Sequence, residues 1–188
     1  MDTYDSIKKR RSVRSYLNKN VAHKDIVKIL EAGHFAPSPA NLQNWRFIVV
    51  RENNKEELSR CCLSQLWMCE ASVWIVICSD NEKLKKEYPK NWKKFSVQSC
   101  AAAIQNMLIE ATSLGLSSCW ISISNEQKFK NILKIPDDIE VEGLITLGYG
   151  SEKPMEKRKK LEFLTFFESF GNRSRDVSLF PLVKHLKK

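Results

Sequence analysis

The chain has no Cys-x-x-Cys pair and only three scattered histidines, His23, His34 and His185, so the ligand spacing of a zinc site is missing. None of its six glycines forms G-x-G-x-x-G or a P-loop, which excludes a dedicated dinucleotide or nucleoside-triphosphate domain. The longest uncharged apolar stretches, such as residues 71–78, fall well short of the ~20 residues needed to cross a bilayer. The N-terminus is polar and lacks a signal-like apolar centre. There are no repeats and no low-complexity linker. The expectation is a cytoplasmic protein without metal or membrane partner.

What is present is a chain of 188 residues, 43% of them hydrophobic, long enough for one domain that removes about 70% of its unfolded surface from water. Six cysteines (Cys61, Cys62, Cys69, Cys78, Cys100 and Cys119) sit inside apolar or helical patterns. No histidine is adjacent in sequence to activate one, so they read as small core hydrophobes. The net charge of +9 invites a nucleic-acid reading, but the lysines fall into three separated stretches, 83–94, 157–160 and the tail, with acids interspersed. They read as solvated faces. No zinc-finger spacing, RNP motif or basic zipper accompanies them.

Short helices are expected at residues 4–9, 23–35, 53–62 and 82–94, and a broad buried helix at 97–114, where Cys100, Ile104, Met107, Leu108 and Ala111 share a face. Extended runs are expected at 47–50, 73–78, 118–123 and 141–149. Gly115 reads as a helix C-cap, and Ser124 or Asn125 as the N-cap of a helix reaching about Leu133. Helices and strands do not alternate strictly, so an α+β domain built on one sheet fits better than a βαβ nucleotide fold.

Two stretches carry chemistry. Arg10-Arg11-Ser12-Val13-Arg14 gathers three guanidinium groups and a hydroxyl, donors that match phosphate oxygens on either a cofactor or a nucleic acid. Ala36-Pro37-Ser38-Pro39-Ala40-Asn41-Leu42-Gln43-Asn44-Trp45 offers amides and a hydroxyl on a proline-stiffened loop, suited to a heterocycle with mixed donors and acceptors. The same loop also reads as an ordinary Pro/Asn turn with Trp45 in the core.

Together these stretches resemble the FMN-dependent nitroreductase family, whose signature is an R-R-S-x-R cluster followed some twenty residues later by A-P-S-x-x-N-x-Q-P-W. The resemblance continues through Ala101-Ala102-Ala103-Ile104-Gln105-Asn106-Met107-Leu108, Leu114-Gly115-Leu116-Ser117-Ser118-Cys119-Trp120-Ile121, Leu147-Gly148-Tyr149-Gly150 and Arg158-Lys159-Lys160-Leu161-Glu162, and covers roughly residues 3–171. It implies a nitroreductase-like fold: a mainly antiparallel central sheet flanked by helices, in an intertwined homodimer with FMN at the interface. It implies an FMN-binding domain over 1–171 and an extension over 172–188 packing on the partner. The stretch 163–167 is apolar and expected to be extended, adding a strand to the other subunit.

By the same resemblance, Arg10 and Ser12 hold the FMN phosphate and ribityl region, with Arg11 a neighbouring candidate and Arg14 toward the pyrimidine edge. Arg158 closes on the phosphate, with Lys157 and Lys159 as register alternatives. Pro37, Ser38, Asn41 and Gln43 come from the partner subunit. Gln65, Trp120, Ile121, Ser122 and Gly148 are further cofactor contacts. No side chain is assigned as catalytic, because the flavin carries the chemistry. NADH or NADPH is the implied reductant, and nitroaromatics, quinones or another small oxidant the substrate, in ping-pong order. The alternative is a flavin-carrying or nucleic-acid-associated binding protein without turnover. Three departures stand out. Asn44 replaces the proline of Q-P-W, which is expected to loosen the loop and leave an extra amide near the site. Ser122 stands where many members have glycine, and Glu156 where a second phosphate ligand is expected.

Overall fold

Asp2 starts the first helix, α1 (Thr3–Lys9), by accepting the backbone N–H groups of Tyr4 and Asp5 at 2.7 and 3.4 Å. The second, α2 (His23–His34), buries Ile26, Ile29 and Gly33 on one face. Strand β1 (Trp45–Val50), helix α3 (Lys55–Arg60), strand β2 (Val73–Asp80) and helix α4 (Glu82–Glu87) follow. Next come the long helix α5 (Trp92–Ser113), β3 (Ser117–Ile121), α6 (Glu126–Leu133) and β4 (Ile139–Gly148). The structure, a computed structural model, describes residues 1–52, 54–152, 154 and 157–172.

The strands form one antiparallel sheet in the order β1-β2-β4-β3. β2 is buried along nearly its whole length, as a central strand covered on both faces must be. On one face Val73, Ile75, Ile77, Ile145 and Leu147 meet α2 and the Cys100, Ala103, Ile104, Met107, Leu108 and Ala111 stripe of α5. On the other, Trp74, Val76, Cys78, Cys119, Ile121 and Leu144 meet Leu58, Met68 and Phe129. The result is an α+β fold of three layers, as expected.

Several boundaries differ from the sequence reading. The expected helix at 82–94 is two helices, because Pro89 cannot continue α4, which ends before Tyr88. The central helix therefore begins at Trp92 and ends at Ser113, with Leu114 as its C-cap and Gly115 at φ 75° completing the stop. Asn125, not Ser124, caps α6, accepting from the Lys128 N–H at 3.1 Å. The helix expected at 53–62 is confined to Lys55–Arg60 behind Asn54, whose φ of 61° is left-handed. Residue 53 lies outside the described residues.

The chain divides into two compact units, Met1–Pro154 and Met155–Lys188. In the second, Leu161–Phe163 is a 3-10 turn, and Phe167 donates its N–H to the Asn172 carbonyl at 3.1 Å. The stretch 163–167 is therefore turned rather than extended, because Thr165 also bonds back to the Leu161 carbonyl at 3.0 Å. The expected extension falls almost entirely outside the described residues.

All six cysteines are free, and all but Cys69 are buried. Burial pushes the Cys62 and Cys78 thiols up to about 12. The unfolded chain ionises these thiols first, so their contribution is fully present below the ordinary value of 9.0 and is lost as pH rises toward about 12. Urea unfolding across this range is expected to show stability falling with pH, and falling less steeply in a Cys62→Ala, Cys78→Ala variant. An unchanged slope in that variant contradicts the assignment.

Candidate functional site

The basic segment at residues 10–14 leaves α1 and runs along the edge of β3 that β4 does not occupy. Ser12 makes a parallel bridge to Ser118, and the Val13 N–H donates to the Ser118 carbonyl at 3.1 Å. Tyr16 holds the segment there. Its buried hydroxyl donates to the Val13 carbonyl at 2.8 Å and shares a hydrogen bond with Thr146 Oγ1, also at 2.8 Å. Burial raises the phenol well above its ordinary value, so it stays protonated and able to donate. Two carboxylates receive backbone donors of the same segment: Glu152 takes the Arg14 N–H at 2.6 Å and Glu70 the Tyr16 N–H at 2.9 Å.

The glycines of Leu147-Gly148-Tyr149-Gly150 make this approach possible. A Cβ on Gly148 would lie 2.8 Å from the Tyr16 ring, and one on Gly150 2.5 Å from Ser117 Oγ and 3.0 Å from Val13. Gly148 is thus the seat of the Tyr16 ring.

Ser12 is seated beside Ser118 with Arg10 and Arg14 on either side of it in the chain, and the charges of both arginines act on the neighbouring Cys119 thiol. Burial pushes that thiol up, while Arg14, a hydrogen bond from Ser12, and Arg10 pull it down. The Ser118 hydroxyl, buried beside Ser12, has no hydrogen-bond partner among the described residues. Cationic and hydroxyl donors on an open strand edge fit an anionic cofactor with polar groups along its length. Arg11 is occupied differently. Its guanidinium donates to the carbonyls of Lys8 at 2.6 Å and Arg10 at 2.8 Å, closing the C-terminus of α1. Further along β3, Trp120 is partly exposed and packs over Gly143, Ile121 is buried, and Ser122 is exposed just past the strand. Gln65 donates to the Cys62 carbonyl at 2.9 Å, within its own turn.

The loop at 36–44 lies elsewhere. Ala40, Asn41 and Gln43 all have left-handed φ, at 47, 56 and 48°. Such a run of non-glycine residues is costly and persists only where the surroundings hold it. The Gln43 N–H donates to Ser38 Oγ at 3.0 Å and the Gln43 side chain to the Asn41 carbonyl at 3.0 Å, while Pro37 is exposed.

Asn44 overturns its expectation. It is buried, and its amide donates to Asn81 Oδ1 at 3.0 Å and Ser96 Oγ at 3.1 Å. Ser96 and Ser79 both donate to Glu142 at 2.7 Å, and Asn81 donates to Ser79 at 2.9 Å. The amide points into the molecule and ties the loop down instead of loosening it. These partners are far apart in sequence, so no local signal announced them. Tyr16 and Thr146 were missed for the same reason.

The loop enters β1 at Trp45, which pairs with Ser79, itself paired with Glu140 at the start of β4. Ser12 and Ser118 lie at the end of β4, beside Gly148 and Leu147, across the far edge. The two clusters therefore occupy diagonal corners of the sheet, separated by about 19 Å across four strand spacings, counting the segment beside β3, and by about 24 Å along β4. A single chain does not bring them together. Arg158, with Lys157 and Lys159, is exposed in the unit Met155–Lys188, and Glu156 lies outside the described residues. Among the described residues, no helix is long and apolar enough to cross a membrane.

The nitroreductase family model matches residues 7–67 and 54–149. A protein of Archaeoglobus fulgidus, provisionally named NADH dehydrogenase/NAD(P)H nitroreductase, is 36% identical over 149 residues, covering 77% of this chain and 83% of that one. The solved FMN-dependent nitroreductase of Clostridium difficile is 30% identical, with a TM-score of 0.76 and coverage of 88% of this chain and 98% of that chain. A protein of Desulfovibrio desulfuricans, provisionally assigned as a nitroreductase and solved in complex with FMN, is 27% identical, with a TM-score of 0.80 and coverage of 90% and 98%.

Tyr16→Phe removes the donor to Val13 and is expected to cost about 1–3 kcal/mol in urea unfolding. Gly148→Ala is expected to be destabilising as well, because the buried ring at 2.8 Å has no room to retreat. Wild-type stability in both variants contradicts the anchoring role.

Proposed function

The chain belongs to the nitroreductase family, and on that premise we propose that it is an FMN-dependent oxidoreductase that takes electrons from NADH or NADPH and reduces small oxidants such as nitroaromatics or quinones. The observation that carries the cofactor reading is the seating of Ser12 and Val13, flanked by Arg10 and Arg14, along the open edge of β3. Bound there, FMN supplies hydride transfer through N5, with reductant and oxidant using the same face in ping-pong order.

The protein's part is binding, orientation and electrostatics. Arg10 and Ser12 grip the phosphate and ribityl region. By the family resemblance, Arg158 is a further candidate ligand of the phosphate. Arg14 faces the pyrimidine edge, where each charge-assisted hydrogen bond to charge gained on reduction contributes about 1.5–3 kcal/mol. Trp120, Ile121 and Ser122 border the ring from β3. Gly148 supports it through Tyr16, and Arg11 through α1. Gln65 presents the turn after α3.

The diagonal separation of the two clusters supports a homodimer in which Pro37, Ser38, Asn41 and Gln43 of one protomer complete the site on the other. The left-handed loop suits this use. Its strain is held from behind by Asn44, leaving its polar groups pre-set for a planar ligand. Unpaired buried thiols fit a reducing, cytoplasmic location.

Titration of the flavin-free protein with FMN is expected to show tight uptake, with anaerobic bleaching of the bound flavin by NADH or NADPH. Arg10→Ala and Arg158→Ala are each expected to weaken FMN affinity by roughly one to two orders of magnitude. Absence of uptake sinks the enzyme reading. Uptake without bleaching by either reductant favours a flavin carrier.

A further inference from the structure

The corner formed by α4 and the start of α5 carries charge that the fold leaves unmatched. Lys83, Lys85, Lys86, Lys90, Lys93 and Lys94 are all exposed there. Glu82 pairs with Lys86 at 2.7 Å, and Lys85 sits over the Trp92 ring at 4.6 Å. Lys83, Lys90, Lys93 and Lys94 have no ion-pair partner among the described residues. Two of them, Lys93 and Lys94, stand in the first turn of α5, which holds no acid. Cations at that end oppose the helix dipole, so their placement costs stability instead of adding to it. Local choices of this kind mark function more often than folding.

The corner is built into the same assembly as the loop at 36–44. Asn44 bonds to Asn81, which precedes α4, and to Ser96 in α5, while the Asp80 N–H donates to the Asn44 carbonyl at 2.8 Å. Arg46 spans the junction with an ion pair to Asp80 at 2.8 Å. The edge-on pair Tyr88 and Phe95, with ring centroids 5.1 Å apart, fixes the turn between the helices. The lysines are thus carried by the element that presents the loop, at the opposite corner from Arg10 and Ser12.

We propose that Lys83, Lys90, Lys93 and Lys94 receive the phosphates of the nicotinamide dinucleotide while its ring lies against the flavin, an inference that rests on the flavin reading above. The chain has no nucleotide fold to hold those phosphates. The flavin's own phosphate is provided for by the basic segment at the other corner. Exposed lysines on flexible stems give weak, salt-sensitive contacts and speed encounter. That suits a reductant which must leave before the oxidant enters.

The test uses the full chain and the probe 2′,5′-ADP, which carries the 2′-phosphate and the adenosine 5′-phosphate of the phosphorylated dinucleotide but no nicotinamide and so no hydride. In a Lys90→Glu, Lys93→Glu, Lys94→Glu variant the affinity for the probe is expected to fall about tenfold, its salt dependence to flatten, and FMN affinity to stay unchanged. The new acids in the first turn of α5 favour folding, and a Lys90→Gln, Lys94→Gln variant gives a milder version of the same loss. Wild-type probe affinity in the variants overturns the proposal. So does a wild-type protein that binds an oligonucleotide but not 2′,5′-ADP at low salt. The probe is measured with and without FMN, so failure of the wild type to take up FMN sinks the flavin reading, while probe binding still decides the role of the lysines.

Discussion

A buried phenol joins the basic segment to the sheet. Tyr16 reaches from beyond Arg14 to the Val13 carbonyl on one side and Thr146 in β4 on the other, and its ring fills the space that Gly148 leaves open. With that bond in place, Ser12 and Val13 lie beside Ser118 as a partial extra strand, with Arg10 and Arg14 on either side of the bridge. Without it, three cations in five residues repel one another and have no reason to share an edge. The course of the basic segment is therefore a consequence of how Tyr16 packs against the end of β4.

The same sheet holds the loop and the basic segment apart. Because the strand order is β1-β2-β4-β3, the loop before β1 and the segment beside β3 are at opposite edges, and the antiparallel register sends them to opposite ends. A cofactor bound by the second cannot be covered by the first within one chain. Asn44 gives the loop its independence. Held through Asn81, Ser96, Ser79 and Glu142, it keeps a left-handed turn in place from the protein side, so the turn can be offered to another subunit already formed.

Much of this was legible in the sequence, for local reasons. The apolar stripe of α5, the Gly115 stop and the apolar run of β2 announce themselves by periodicity, and the motif order pointed to the fold. The helix break at Pro89 was also written locally, but the lysine-rich pattern on either side masked it. What could not be read depends on partners distant in the chain. Asn44 read as an extra amide near the site that loosens the loop, because nothing nearby in sequence reveals that Asn81 and Ser96 bond to it. Arg11 read as a neighbouring candidate beside Arg10, and only the fold shows its guanidinium bonded to the Lys8 carbonyl. Gly148 looked like a ligand contact, and the structure gives it a steric reason in the Tyr16 ring.

The central claim is that each flavin site takes its phosphate grip from one protomer and its covering loop from the other. It is tested most directly by subunit mixing: one chain carries Arg10→Ala and Ser12→Ala, the other Ser38→Ala and Asn41→Ala, and the two are exchanged and the heterodimer isolated by differential tags. The account predicts that both parents bind FMN weakly, while the heterodimer regains one site of wild-type affinity and leaves the other doubly damaged. A heterodimer with two equally weakened sites and no recovered one would contradict it.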